Sequence, residues 1–233
     1  MVGTGVFTSL GFQLLGIKSP FVLMMLWLVG GLTALCGALT YAELGANLPR
    51  SGGEYNFLSR LYHPCAGFIS GWVSATVGFA APVALAAMTF AAYLSAVFPE
   101  LNRTWAAVSL VLILTLAHCL SRRASSSVQQ IFTALKLLLI LLFCAVILIW
   151  GNSPQSLNFA PQAGDGQLLF SGAFAVALIY VNYAYTGWNA ATYVTGELEN
   201  PQRNLPVELA LGTVLVLLPS LLLNYTFPLA ELI

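Results

Sequence analysis

The stretch that decides the fold is residues 180–206, which read YVNYAYTGWNAATYVTGELENPQRNLP. It continues an apolar run that begins near Leu168, but polar residues and a glycine interrupt that run between Tyr183 and Asn189. A membrane helix tolerates such a break only where the freed backbone groups are buried or line a cavity, and there they become ligands for a solute. The alternative is a continuous helix with one packing glycine, because small residues are common at helix contacts.

The composition is that of an all-α polytopic membrane protein. Of the 233 residues, 59% are hydrophobic and 7% are charged, whereas a soluble domain carries about 25% charged residues. Eight basic and eight acidic residues give a net charge of zero, which argues against a nucleic acid as partner. The sequence shows no paired acid and base, no nucleophile with its base, and no metal-ligand spacing of its four cysteines. We therefore predict neither an enzyme nor a metal or cofactor site.

The apolar runs predict a single transmembrane domain, 1–233, with six to seven helices. Residues 1–150 hold helices one to five, and residues 167–233 hold helices six and seven. The predicted spans are 1–15, 20–44, 66–98, 105–120, 128–150, 168–196 and 207–227. The first is shorter than the roughly 20 residues that a spanning helix needs. It opens with two glycines that flank a hydroxyl and free backbone groups at that point: Gly3, Thr4 and Gly5.

The distribution of basic residues predicts the orientation in the membrane. The loops after helices two, four and six carry five arginines: Arg50, Arg60, Arg122, Arg123 and Arg203. The loops on the opposite side carry only Lys18 and Arg103. Short cytoplasmic loops are enriched in Lys and Arg, so the arginine-rich side is expected in the cytoplasm. The chain is thus a multi-pass protein, expected in the plasma or cell inner membrane.

Several motifs follow one another along nearly the whole chain. They are VGTGVF at 2–7, YAELG at 41–45, PRSGGEY at 49–55, QIFTALKL at 130–137, YAYTGWN at 183–189 and ENPQRNLP at 199–206. In this order and spacing they resemble the amino acid–polyamine–organocation (APC) transporter superfamily, and the last two are most similar to the L-type amino acid exchangers and their bacterial relatives. The resemblance implies a partial LeuT-type inverted-repeat fold with broken helices one and six. It also implies a truncated chain, without the cytoplasmic half of helix one and without helices eight to twelve.

The same resemblance implies an amino acid site between the two breaks. Its residues in this chain are Val2, Gly3, Thr4, Gly5, Tyr183, Tyr185, Thr186, Gly187 and Asn189. Amides of the first break, helped by the positive end of the half-helix that follows, would bind the carboxylate, and carbonyls near Tyr183 and Tyr185 would accept the ammonium. Tyr183 aligns with an aromatic gate, and Thr186 departs from a glycine that is common in the exchangers. The alternative for the aromatic residues is a belt at the membrane interface.

Lys136 is the cation that lies well inside an apolar run. A charge at membrane depth is costly, so such a group is a functional candidate. The resemblance implies that its ammonium takes the place of a sodium ion, which means sodium-independent exchange or proton coupling. The alternative is that the side chain reaches the cytoplasmic interface.

The sequence thus predicts a secondary transporter, a permease or exchanger of amino acids. The lack of a carboxylate near the breaks favours neutral substrates. Residues 99–104 hold no cysteine at the place where the animal exchangers bond a heavy subunit, so no disulfide-linked heavy subunit is expected. The alternative function is a non-transporting remnant or an amino acid sensor in the membrane.

Overall fold

The computed structural model describes residues 5–120, 122–150 and 159–230, and this part of the chain is helical without any strand. The α-helices are α1 Gly5–Gly16, α2 Pro20–Asn47, α3 Glu54–Leu61, α4 Pro64–Val73, α5 Ala81–Val97, α6 Arg103–Leu120, α7 Arg122–Trp150, α8 Asp165–Leu169, α9 Gly172–Tyr185 and α10 Pro201–Ala230. Among the described residues, four apolar segments are long enough to cross a membrane: Pro20–Asn47, Pro64–Val97, Ser126–Trp150 and Pro201–Phe227. Within the described residues every predicted span contains helix, which confirms an all-α polytopic architecture.

The described chain forms two compact units. The first extends to Gly53 and resumes at Lys136, and the second comprises residues 54–135. In the first unit α2 packs against α9 and α10, and α1 packs against α9. Its core is apolar and fully buried around Val22, Leu26, Trp27 and Val181. The single domain predicted from the sequence stays a prediction.

Helix α2 begins where the sequence predicts it, because Ser19 and Pro20 form a helix start. The Ser19 hydroxyl accepts a hydrogen bond from the Val22 amide at 3.4 Å, which satisfies an amide that has no partner within the helix. Proline fits the first helical position, since its missing N–H would be unpaired there. The helix then runs without a break to Asn47, three residues past the predicted end.

Glycines allow α2 to approach its neighbours closely. A Cβ added at Gly30 would overlap the Val181 side chain of α9, and one added at Gly31 would overlap Leu217 of α10. A methyl group at either position would therefore require the facing side chain or the helix that carries it to move. This packing places α2 in direct contact with the helix that carries the break.

The second unit contains two features that the sequence did not predict. Residues 54–61, which follow the glycines of the loop after α2, form the short helix α3. It packs on α4 where Gly67 leaves no space for a side chain, because a Cβ there would lie 2.6 Å from the Tyr55 carbonyl oxygen. Between α4 and α5 the span continues as a π-helix, Ser74–Ala80.

Two predicted helix starts are wrong. Helix α10 begins at Pro201 rather than at Val207, because the Asn200 carbonyl accepts hydrogen bonds from the amides of Arg203 and Asn204, at 3.0 Å each. A proline at the first helical position costs no hydrogen bond, because a backbone N–H would be unpaired there within the helix. Helix α7 begins at Arg122 rather than at Val128, so this polar segment is helical backbone and not loop.

Candidate functional site

The predicted break in the sixth span is present. Helix α9 ends at Tyr185, Thr186 is extended with φ −60° and ψ 157°, and Gly187 has φ 100°. The chain continues in two short 3₁₀ turns, Trp188–Tyr193 and Thr195–Glu197. A positive φ is readily adopted by glycine and is strained for other residues, which explains a glycine at this position. The alternative of a continuous helix is wrong.

Threonine hydroxyls satisfy carbonyl groups that the break frees. Thr186 Oγ1 donates to the Tyr183 carbonyl oxygen at 2.7 Å. Farther along, Thr192 Oγ1 donates to the carbonyl of Asn189 at 2.7 Å, and Thr195 Oγ1 donates to that of Thr192 at 3.0 Å. Buried or membrane-embedded carbonyls need such partners. The unwound segment is therefore stabilised by its own side chains.

Aromatic side chains fix the two ends of the break to α2. The Tyr185 ring is 1% exposed and packs edge-on against Trp27 with ring centroids 5.7 Å apart, and its hydroxyl donates to the Trp27 carbonyl oxygen at 3.3 Å. Trp188 lies edge-on to Tyr41 at 4.9 Å and covers Gly37, where a Cβ would lie 2.8 Å from the indole. Tyr185 and Trp188 therefore serve as anchors within the first unit, and the belt alternative does not describe them.

The first described residue of α1 lies directly on the end of α9. A Cβ added at Gly5 would lie 3.0 Å from the Ala184 Cα atom and 3.4 Å from the Tyr183 ring. The structure thus brings Gly5 and Tyr183 together, immediately before the break at Thr186 and Gly187. Of the other predicted site residues, Val2, Gly3 and Thr4 lie outside the described part of the chain.

We call Gly5, Tyr183, Ala184, Thr186 and Gly187 the junction, and these residues differ in their exposed fraction. Gly5 is buried, whereas the Tyr183 ring is 40% exposed, and Thr186 and Gly187 are exposed as well. Asn189 is half-buried. The exposed groups next to the buried Gly5–Ala184 contact are therefore the Tyr183 ring, the Thr186 side chain and the Gly187 backbone.

Sequence reasoning missed the residues that line the interface of α1 and α9 beyond the junction. Phe12 stacks on Tyr180 with ring centroids 5.6 Å apart, and the two residues border a cavity of about 270 Å³. Gln13, which also lines this cavity, is 1% exposed, and its Oε1 accepts a hydrogen bond from Trp27 Nε1 at 2.9 Å. A glutamine within an apolar run was the signal that could have identified it.

Lys136 lies in the span Ser126–Trp150 of α7, and its side chain is exposed. Its predicted role as a sodium substitute stays a prediction. Within the described residues, no group of three or more His, Cys, Asp or Glu side chains is placed to hold a metal ion.

The fold and the junction define a class: a polytopic α-helical membrane protein in which a broken helix meets the end of a second helix. A family model described as "Amino acid permease" matches residues 1–230, and the chain belongs to that family. It is 33% identical to the b(0,+)-type amino acid transporter 1 of Homo sapiens over 97% of the chain and 48% of that protein.

A second group of relatives is equally similar. The chain is 35% identical to the large neutral amino acids transporter small subunit 2 of Oryctolagus cuniculus, over 93% of the chain and 42% of that protein. It is 33% identical to the Mus musculus protein of the same name, with the same coverage. The chain thus spans about half the length of the curated relatives it matches.

Proposed function

We propose that this chain takes part in secondary transport of amino acids, with the substrate bound between the start of α1 and the break after α9. The observation that carries the proposal is the contact between Gly5 and Ala184, because it brings one residue of the first predicted break close to the end of α9. Membership in the amino acid permease family and similarity to proteins named as amino acid transporters support it.

The chemistry of the two helix ends suits a zwitterion. Backbone amides at the start of a helix, together with the helix dipole, favour an anion such as a carboxylate. Carbonyls at the end of a helix favour a cation. An amino acid carries both charges close together, so one solute can engage the amides at Val2–Gly5 and the carbonyls of the Tyr183–Asn189 segment.

Within this proposal the transport mode is exchange of neutral amino acids across the plasma or cell inner membrane. Tyr183 closes over the substrate, and its accessible ring beside Gly5 is consistent with that role. Lys136 supplies the positive charge in place of a sodium ion, which makes the exchange independent of sodium. No disulfide-linked heavy subunit is expected, because residues 99–104 hold no cysteine.

The site is tested by counterflow of labelled amino acids in proteoliposomes containing the Gly5→Leu variant. We expect uptake to be abolished, because a side chain at Gly5 meets the backbone of Ala184 rather than a movable side chain. Gly11→Leu is the matched control on the same helix, since nothing lies within 4 Å of a Cβ at Gly11. Unchanged uptake by Gly5→Leu would contradict the proposal that the substrate binds at this junction. Amino acid binding without counterflow by the unmodified protein would favour the sensor or remnant.

A further inference from the structure

Three threonines in the unwound segment make the same hydrogen bond, but they differ in exposure. Thr186, Thr192 and Thr195 each donate their hydroxyl to the carbonyl three residues earlier. Thr192 and Thr195 are 0% and 1% exposed, so their hydrogen bonds are internal to the fold. Thr186 is exposed and lies at the junction with Gly5. Its hydroxyl is therefore the member of this set that a bound solute can meet.

The hydrogen bonds of Thr186 occupy the Tyr183 carbonyl completely. Its hydroxyl donates to that oxygen at 2.7 Å, and its backbone amide donates to the same oxygen at 3.2 Å. A carbonyl oxygen has two lone pairs, so two donors leave none for a third. The resemblance implies that carbonyls near Tyr183 and Tyr185 accept the substrate's ammonium, and the Tyr183 carbonyl lies in that region.

We propose that Thr186 is a specificity-determining residue, which weakens recognition of the substrate's ammonium group by capping the Tyr183 carbonyl. The inference rests on the proposed function and deepens it. A substrate's ammonium has to displace the hydroxyl or use other carbonyls of the break. In either case the hydroxyl lowers the contribution of the ammonium to binding, while recognition of the carboxylate is unaffected.

Replacement of Thr186 by valine removes the hydroxyl and retains the shape. The residue has φ −60° and ψ 157°, which is extended backbone that a β-branched side chain adopts without strain. The variant frees one lone pair of the Tyr183 carbonyl for the ammonium. Since a hydrogen bond contributes a modest net free energy, we expect the Kd for an amino acid to fall about three- to tenfold.

The experiment compares two ligands that differ only in the amino group. Binding of L-leucine and of its desamino analogue, 4-methylpentanoate, is measured for the purified full chain in lipid nanodiscs. We expect Thr186→Val to tighten leucine binding and to leave 4-methylpentanoate binding unchanged. Thr186→Ser, which keeps the hydroxyl, is expected to restore the wild-type ratio of the two affinities. A purely structural role of Thr186 would change both ligands alike.

Thr195→Val is the matched control, because it removes the same kind of hydrogen bond at a buried position away from the junction. It is expected to lower the melting temperature without changing the ratio of the two affinities. An unchanged ratio in Thr186→Val, with leucine bound normally, would overturn the role of Thr186 and leave the proposed function standing. Absence of leucine binding to the wild type as well would overturn the proposed function, and this inference with it.

Discussion

At the scale of single residues, a buried polar pair connects α1 to α2. Gln13 and Trp27 are 1% and 0% exposed, and the indole N–H donates to the amide oxygen at 2.9 Å. The Gln13 Nε2 atom has no hydrogen-bond partner within the described residues. An unsatisfied buried donor is costly, so this pair stabilises the helix contact through one of its two polar atoms only.

The pair predicts a non-additive mutational effect. Trp27→Phe deletes buried volume and leaves both polar atoms of Gln13 without a partner, which we expect to cost about 2–4 kcal/mol of stability. The double variant Gln13→Met, Trp27→Phe lacks those polar atoms. Its loss of stability should therefore be about 1–2 kcal/mol smaller than the sum of the two single losses. The measurement is the melting temperature in detergent, for the two single variants and the double variant.

Trp105→Phe is the control, since that indole is 72% exposed, and it should melt like the wild type. Strict additivity of the two single effects would show that the hydrogen bond contributes nothing beyond packing. A side-chain hydrogen bond would then be ruled out as the reason for a glutamine at this position.

At the scale of elements, Gly30 lies where α2 packs closely against α9. Gly30 faces Val181, which is 0% exposed, and a Cβ added at Gly30 would overlap its side chain. Gly30→Ala should therefore force the two helices apart and cost about 1–3 kcal/mol, as overpacking typically does. Because α9 ends at the break, the same variant should also weaken amino acid binding. Thermal unfolding and leucine binding measure the two effects.

Gly212→Ala on α10 is the matched control, because no atom lies within 4 Å of a Cβ at that position. It should leave both measurements unchanged or raise stability slightly, since alanine is a better helix former than glycine. A Gly30→Ala variant that melts and binds like Gly212→Ala would mean that α9 moves away from α2 without cost.

The sequence predicted elements best where a local signal decides the structure. The break follows from Gly187 among polar residues, and the start of α2 follows from Ser19 and Pro20. The start of α10 was missed because the predicted span began only at Val207, whereas the hydrogen bonds to the Asn200 carbonyl already begin the helix before it. Helix α3 was missed because eight residues after a glycine pair give too short an apolar pattern.

No local sequence signal predicts the junction. Gly5 and Ala184 are far apart in the sequence, so their contact depends on how α1, α2 and α9 pack together. The resemblance to a transporter superfamily supplied that expectation, and residue patterns alone did not. The cap on the Tyr183 carbonyl could not be predicted either, because a threonine hydroxyl can point to solvent or to the backbone, and only the structure selects between them.

At the scale of the whole molecule, the first unit separates its basic residues along α2. Lys18 precedes this helix and Arg50 follows it, and its 28 residues give a length of about 42 Å at 1.5 Å per residue. This exceeds the roughly 30 Å of a hydrocarbon core. Arg203 lines a surface cavity together with Pro49, so it lies at the same end as Arg50. The described geometry is therefore compatible with Lys18 on one side of the membrane and both arginines on the other.

The positive-inside rule assigns the arginine end to the cytoplasm, and cysteine labelling tests this. The exposed Cys36, Cys65 and Cys119 are first replaced by alanine, while the buried Cys144 is retained. A membrane-impermeant maleimide should then label Lys18→Cys in intact cells and Arg203→Cys only after permeabilisation. Both positions are exposed, so a difference in labelling reports the side of the membrane and not burial. The reverse pattern would invert the orientation. It would place the 3₁₀ turns that follow the break on the outside of the membrane. Substrate would then reach the junction from the opposite face.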